Sequence, residues 1–211
     1  MDLSQCSKII VFGGSFDPPH IAHVRLPQLA MQTIDAQAVV YIPTARQPLK
    51  TDRQAAAGEH RLAMLQLALA REPHAVILTD ELDRASDDRP SYTVETLEAL
   101  AKRLGADVVM RLLIGADQVR QFDRWHDPQR IIELAEPLVM LRPPDTADRL
   151  LESLPGGYDP EQWRGRIIEL PLMEVSATEI RRRVAAGESI EGLTPPAVER
   201  YITEHGLYRA C

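Results

Sequence analysis

Two histidines three residues apart, His20 and His23, follow two glycines and two prolines in GGSFDPPHIAH, residues 13–23. Imidazoles at that spacing share one face of a first helical turn, where both can point at the same anionic group. Gly13 and Gly14 open backbone conformations closed to other residues and let amides approach a ligand, while Pro18 and Pro19 stiffen the turn. N–H groups at the start of the following helix favour an anion, so the chemistry indicated is phosphate binding. Three other readings compete. A strand followed by Gly-Gly is often only a tight turn. The histidine pair could be half of a zinc site, but HExxH spacing is missing and neither Cys6 nor Cys211 lies in a ligand-like pair. A dinucleotide redox loop is disfavoured because no GxGxxG follows the strand.

A second candidate lies in EVSATEIRRRVAAGES, residues 174–189. Ser176 reads as an N-cap with Glu179 three residues on, the pattern of a capping box. A well-capped surface helix explains that pattern without any ligand. Ser176, Thr178 and Arg181 nevertheless put two hydroxyls and a guanidinium around a helix N-terminus, which suits the outer phosphates of a nucleotide.

The elements that must position these groups alternate. KIIVF (8–12), AVVYIP (38–43), AVILT (75–79), DVVMRLLIG (107–115), PLVMLR (137–142) and RIIEL (166–170) read as strands. Between them, segments such as EHRLAMLQLALAR (59–71) and TVETLEALAKRL (93–104) carry apolar residues at helical spacing. This alternation predicts an α/β fold, a parallel sheet with helices on both faces, which binds ligands outside the carboxyl ends of its strands. GGSFDPPHIAH lies at such an end. Pro27 predicts a kink or an early end in the helix after His20. Residues 142–166, rich in proline, glycine and acids, predict a surface excursion with a short helix over Asp145 to Leu154.

With 211 residues, 45% of them hydrophobic, the expectation is one compact domain spanning 1–211. A net charge of −7 argues against a general nucleic-acid binder, so a phosphate site must gather positive charge locally. Two distant cysteines fit a reducing compartment. No basic segment leads into an apolar run and no stretch approaches a membrane span, so a cytoplasmic protein without membrane contact is expected.

Taken together, the chain resembles the nicotinate-nucleotide adenylyltransferase family of the nucleotidyltransferase superfamily. GGSFDPPHIAH is similar to that family's GGTFDPxHxGH, and VSATEIR to its ISSTxIR. SYTVETLEAL, LLIGADQVRQFDRWHD and VMLRPP follow the family's order and spacing, and SIEGLTPPAVERYITEHGLY resembles its carboxyl-terminal helix. The departures are Ala22 for a usual glycine, Ala177 for a serine, and leucine before the lysine in QPLK, residues 47–50. The resemblance implies a Rossmann-like doubly wound parallel sheet with a small C-terminal helical extension. It implies adenylyl transfer from ATP to nicotinate mononucleotide, giving nicotinate adenine dinucleotide and pyrophosphate in NAD biosynthesis, without a covalent enzyme intermediate.

It also implies roles for individual residues. His20, His23 and Arg181 act on the ATP phosphates during catalysis. Gly13, Gly14, Ser15, Phe16, Gly115, Asp117, Ser176 and Thr178 bind ATP. Lys50, Tyr92, Thr93 and Trp125 bind the mononucleotide. Mg²⁺ is carried in with ATP and no dedicated protein metal site is expected. ATP and nicotinate mononucleotide are the implied partners, and a homo-oligomer is left open. Plainer readings stand beside these: a solvated charge for Lys50 and for Arg61, a helix cap for Asp117, a core residue for Trp125. Rival functions are adenylyl transfer to phosphopantetheine or to the amidated mononucleotide, and a regulatory protein that holds ATP without turnover.

Overall fold

Each of the six apolar runs forms a strand. β1 (Lys8–Gly14), β2 (Ala38–Pro43), β3 (Ala75–Ile77), β4 (Val109–Gly115), β5 (Glu136–Leu141) and β6 (Ile167–Glu169) make one parallel sheet in the order β3-β2-β1-β4-β5-β6. The structure is a computed structural model, describing residues 2–45, 56–84, 91–141 and 145–209. Register pairs Lys8 with Val109, Gly115 with Met140, and Val139 with Ile167. β2 is buried along its whole length, as expected for a near-continuous apolar strand covered on both faces. The strand order reverses between β1 and β4, the arrangement of doubly wound sheets.

Helices flank the sheet on both sides: α1 (Ile21–Thr33), α2 (Gly58–Leu69), α3 (Asp80–Asp83), α4 (Thr93–Leu104), α5 (Ala116–Val119), α6 (Pro128–Leu134), α7 (Ala147–Glu152), α8 (Pro160–Arg164), α9 (Ala177–Ala185) and α10 (Pro196–Glu204). Local chemistry sets their ends. Asp127 caps α6 by accepting the Arg130 N–H at 3.2 Å, with Pro128 in the first helical position where its missing donor is harmless. α4 buries Val94, Leu97 and Leu100 on one face and stops at Gly105, whose φ of +82° suits only glycine and whose N–H returns to the Ala101 carbonyl.

Two expectations need correction. Of the two alternatives at Pro27 the early end does not occur: α1 runs on to Thr33, because one proline removes a single backbone bond and the helix retains its buried face of Ala22, Leu26 and Ala30. Residues 145–166 are more than a surface excursion. They hold two helices, and Trp163 is 1% exposed, packed edge-on against Phe122 and Tyr158 with the Arg166 guanidinium 5.0 Å from its ring centroid.

The chain separates into two compact units. One is built from Met1–Phe12, Pro27–Tyr41 and Tyr92–Leu172 and contains the paired strands β4, β5 and β6. The other comprises Gly13–Leu26, Ile42–Ser91 and Met173–Cys211. Its core joins Met64 and Ala68 of α2 to Ile180 of α9, Ile190, and Val198 and Ile202 of α10. Cys6 is a buried thiol, and among the described residues no helix is long and apolar enough to cross a membrane.

Leu97 is fully buried on the inner face of α4. Leu97→Ala should therefore lower unfolding free energy by about 2–5 kcal/mol, whereas Glu98→Ala on the outer face should change it by less than about 0.5 kcal/mol; urea denaturation of both variants checks the contrast.

Candidate active site

β1 delivers the chain to a turn, and the turn is built differently from what its glycines suggest. Gly13 and Gly14 stay in the strand, and the left-handed residue is Phe16, at φ +48°. Glycine is required at 14 for space: a Cβ there would lie 3.0 Å from the Phe16 ring, which folds back and is fully buried. Gly14 is also tied to the end of β2, its carbonyl accepting the Thr44 N–H at 2.9 Å. Gly13 through Ser15 remain at least partly exposed, as amides that meet a ligand must be.

The histidines come together as their spacing predicts, although His20 precedes α1 instead of lying in its first turn. Their rings stack at 3.6 Å with 19° between planes, and Phe16 meets His23 edge-on at 5.2 Å. His23 Nδ1 accepts the His20 backbone N–H at 3.2 Å, which places the proton of its neutral ring on Nε2 and makes that nitrogen a donor. The amide cradle at the start of α1 is narrower than the sequence suggests. Ile21 N–H is already taken by the Leu193 carbonyl at 3.0 Å, and His23 N–H by the His20 carbonyl at 2.9 Å.

Two buried charges fix this turn. Arg61, on α2 and 5% exposed, donates to four backbone carbonyls: Ser15 at 2.8 Å, Thr44 at 2.7 Å, Ala45 at 3.3 Å and Ala56 at 3.2 Å. Burial pulls its affinity for protons below the ordinary arginine value. The guanidinium fork is taken up by these four carbonyls, so Arg61 is a buried clamp on the backbone and not a solvated charge. Asp17, 3% exposed, accepts at Oδ1 from the Ala56 N–H at 3.1 Å and from the Tyr208 hydroxyl.

The second candidate element, at α9, reaches the same turn. Arg181 of α9 donates from Nη1 to the Asp17 carbonyl at 2.7 Å, across 164 positions of sequence. Ser176 caps α9 through the Glu179 N–H at 3.2 Å, and Ser176 and Thr178 are exposed beside that helix start. The reciprocal half of the expected capping box is replaced. The Glu179 carboxylate turns to Arg182, at 2.8 and 2.9 Å, and to Arg183 at 2.8 Å. Arg182 first and then Arg183 hold its carboxyl down to about 2, so it stays ionised through the neutral range. This pairing offsets a negative charge that would otherwise oppose a phosphate at the helix start.

The remaining predicted residues fall in the other unit, except Lys50, which lies outside the described residues. Gly115 ends β4 in a buried position, and a Cβ on it would come within 2.6 Å of Asp117 Oδ1, so the exposed Asp117 carboxylate folds back over the glycine. Gln118 Oε1 accepts the Gly115 N–H at 3.0 Å. Tyr92 and Thr93 open α4, where the Tyr92 side chain makes no cap bond and its carbonyl accepts the Glu95 N–H at 3.1 Å. Tyr92 stacks on His126 at 4.4 Å. Trp125 next to it is half-buried, with one side against Phe122 at 5.2 Å. Trp163, by contrast, is the tryptophan of the core.

The cytidylyltransferase-like family model matches residues 11–183. A protein of Thermomicrobium roseum named probable nicotinate-nucleotide adenylyltransferase is 37% identical over 96% of this chain and 92% of its own. One of Bacillus pumilus with the same name is 34% identical over 96% and 99%. The chain belongs to the nicotinate-nucleotide adenylyltransferase family. The fold agrees with the Plasmodium falciparum nicotinic acid mononucleotide adenylyltransferase complexed with NaAD, at TM-score 0.73 and 17% identity, covering 96% of this chain and 97% of that one.

Two of the three departures from the family motif, Ala22 and Ala177, lie among the described residues, and the leucine of QPLK lies outside them. Ala22, in place of glycine, is buried in α1 at 3% exposure, so its methyl lies inside the protein. Ala177 is the first residue of α9 and leaves the Ser176 cap intact. Sequence patterns single out neither Asp17 nor His126, and the solvated charge expected at Arg61 is a buried one. The available sign for Asp17 was a lone acid between Phe16 and Pro18 in an otherwise apolar, proline-stiffened turn.

Arg61→Lys keeps a charge but lacks the planar fork, leaving buried carbonyls without donors. It should lower unfolding free energy by about 1–3 kcal/mol in urea titrations, with Arg71→Lys on the exposed end of the same segment as the unaffected control.

Proposed function

We propose that the chain transfers the adenylyl group of MgATP to nicotinate mononucleotide, forming nicotinate adenine dinucleotide and pyrophosphate for NAD biosynthesis in the cytoplasm. The observation that carries this reading is the Arg181 bond to Asp17, which brings the guanidinium of the second phosphate element to the turn that holds His20 and His23. Family membership supplies the substrate class.

The reaction asks little covalent chemistry of the protein. The oxygen of the mononucleotide 5′-phosphate, ionised at neutral pH, attacks the α-phosphorus, the α–β bridging oxygen leaves with pyrophosphate, and no proton need be removed. Holding two reactants in line can contribute about 7–11 kcal/mol, against about 1.5–3 kcal/mol for one charge-assisted hydrogen bond. Geometry therefore outweighs any single side chain. His20 and His23 donate to the phosphates, with His20 at the α-phosphate where charge builds. Exposed amides of Gly14 and Ser15, with Phe16 holding the turn beneath them, line the junction between the nucleotides. Ser176, Thr178 and Arg181 hold the β- and γ-phosphates, and Mg²⁺ enters as part of the nucleotide, coordinated mainly by phosphate and water.

Gly115 and Asp117 take the adenosine ribose, whose two hydroxyls suit a carboxylate. Trp125 stacks on the pyridine, and the start of α4 at Tyr92 and Thr93 receives its carboxylate. Lys50 is assigned to the mononucleotide phosphate on its charge alone.

The deciding experiment is pyrophosphate release from ATP with nicotinate mononucleotide and nicotinamide mononucleotide in parallel. Release with the acid, and less with the amide, is expected. ATP binding without release from either would make the chain a nucleotide-binding regulator instead. Trp125→Ala should raise KM for the mononucleotide far more than KM for ATP, and equal effects on both would remove the stacking role. His20→Ala should lower turnover by about two orders of magnitude or more, the scale of losing one transition-state donor; near-normal turnover in a folded variant would take it out of the catalytic set.

A further inference from the structure

Trp125 takes its orientation from one neighbour. Among the described residues it meets a single other ring, Phe122, at 5.2 Å with 39° between planes, and its N–H returns to the Phe122 carbonyl at 3.2 Å. The turn Phe122–Arg124 that leads into Trp125 is one short 3₁₀ piece, and its few backbone bonds do not hold a shape alone, so the packing of Phe122 must set it. Phe122 is fully buried while Gln121, Asp123 and Arg124 around it are exposed.

The rings that enclose Phe122 come from the segment between β5 and β6. Trp163 of α8 stands edge-on to it at 5.6 Å and 73°, Tyr158 at 6.1 Å and 65°, and these two meet each other edge-on at 5.5 Å and 83°. Steep rings fix one another, since rotating any one of them loses an edge-to-face contact. Trp163 is itself held at two points. Asp159 caps α8 by accepting the Glu161 N–H at 3.0 Å. The Arg166 guanidinium, 5.0 Å from the indole ring centroid, donates from Nε to Glu136 at the start of β5 at 3.2 Å. A continuous set of contacts thus runs from Glu136 on the sheet through Arg166, Trp163 and Phe122 to Trp125.

We propose that Trp163 is a positioning residue for the mononucleotide: through Phe122 it fixes the face that Trp125 presents to the pyridine ring. This rests on the reading of Trp125 as the stacking residue given above. It adds that a core residue of the segment between β5 and β6 sets mononucleotide affinity without touching the mononucleotide, and leaves ATP affinity alone.

Calorimetric titration of the full chain with nicotinate mononucleotide and with MgATP reads this apart from turnover. Trp163→Leu removes the ring edge and should weaken the mononucleotide by about threefold or more, the scale of one aromatic pair, with MgATP within about twofold. Trp163→Phe keeps an edge toward Phe122 and should stay within about twofold of wild type for both ligands. In a Trp125→Ala background, Trp163→Leu should weaken the mononucleotide by less than about twofold more, because the ring it positions is gone. Equal losses for both ligands, a mononucleotide loss below about threefold in Trp163→Leu, no rescue by phenylalanine, or full additivity with Trp125→Ala would each overturn the proposal. If Trp163→Leu does not fold by its melting curve, Tyr158→Leu, at a partly exposed position, takes its place. A loss for the mononucleotide alone that disappears in the Trp125→Ala background then supports the proposal, and any other pattern overturns it. Trp125→Ala that leaves mononucleotide affinity unchanged would remove the stacking reading and the proposal with it. A loss in Trp125→Ala with none in Trp163→Leu would overturn the proposal and leave the stacking reading standing.

Discussion

A carboxylate removed from water must be satisfied by donors or it destabilises whatever surrounds it, and Asp17 meets that requirement with groups drawn from three distant parts of the chain. Its side chain takes the Ala56 amide and the Tyr208 hydroxyl, and its carbonyl takes Arg181. The turn after β1, the stem before α2, the start of α9 and the tail after α10 are thereby bound to one residue. Arg61 complements it by donating to the carbonyls of Ser15, Thr44, Ala45 and Ala56. A buried acid and a buried base thus hold the backbone of the turn after β1, and the histidines are carried by it.

This division of labour shows how a chain of net charge −7 gathers positive groups at one turn. Its positive groups are local and specifically held: Arg181 is oriented by a backbone carbonyl, and the acid nearest the α9 start, Glu179, is matched by Arg182 and Arg183. Exposed pairs of that kind contribute little to stability. Their effect here is on the field that an incoming phosphate meets. The phosphate turn also depends less on glycine flexibility than its composition suggests, since Phe16 supplies the left-handed step and Gly14 supplies the room for its ring.

Much of the architecture was legible from periodicity. Strands β1 to β6 fall within or beside the six apolar runs because a strand covered on both faces has little choice but to be continuously apolar, and α4 coincides with TVETLEALAKRL because its apolar spacing and Gly105 stop agree. The exceptions have physical causes. Pro27 is absorbed because tertiary burial of α1 outweighs one lost backbone bond, and residues 145–166 pack inward because Trp163 finds Phe122 and Tyr158, partners that no local pattern announces.

Local spacing and chemistry carried the fold class, the order of the elements, and the residue types at His20, His23, Ser176, Thr178 and Arg181 from which a phosphate site is proposed. The sequence also carried the family, because motif order survives in one dimension. Folding was needed to show that Arg61 is a buried clamp instead of a solvated charge, that the Glu179 side chain faces Arg182 and Arg183 instead of completing a capping box, and that Asp17 meets Arg181 and Tyr208. Each of these outcomes turns on which donors and acceptors are shut away from water together, and that is a property of the folded chain that spacing along it does not encode.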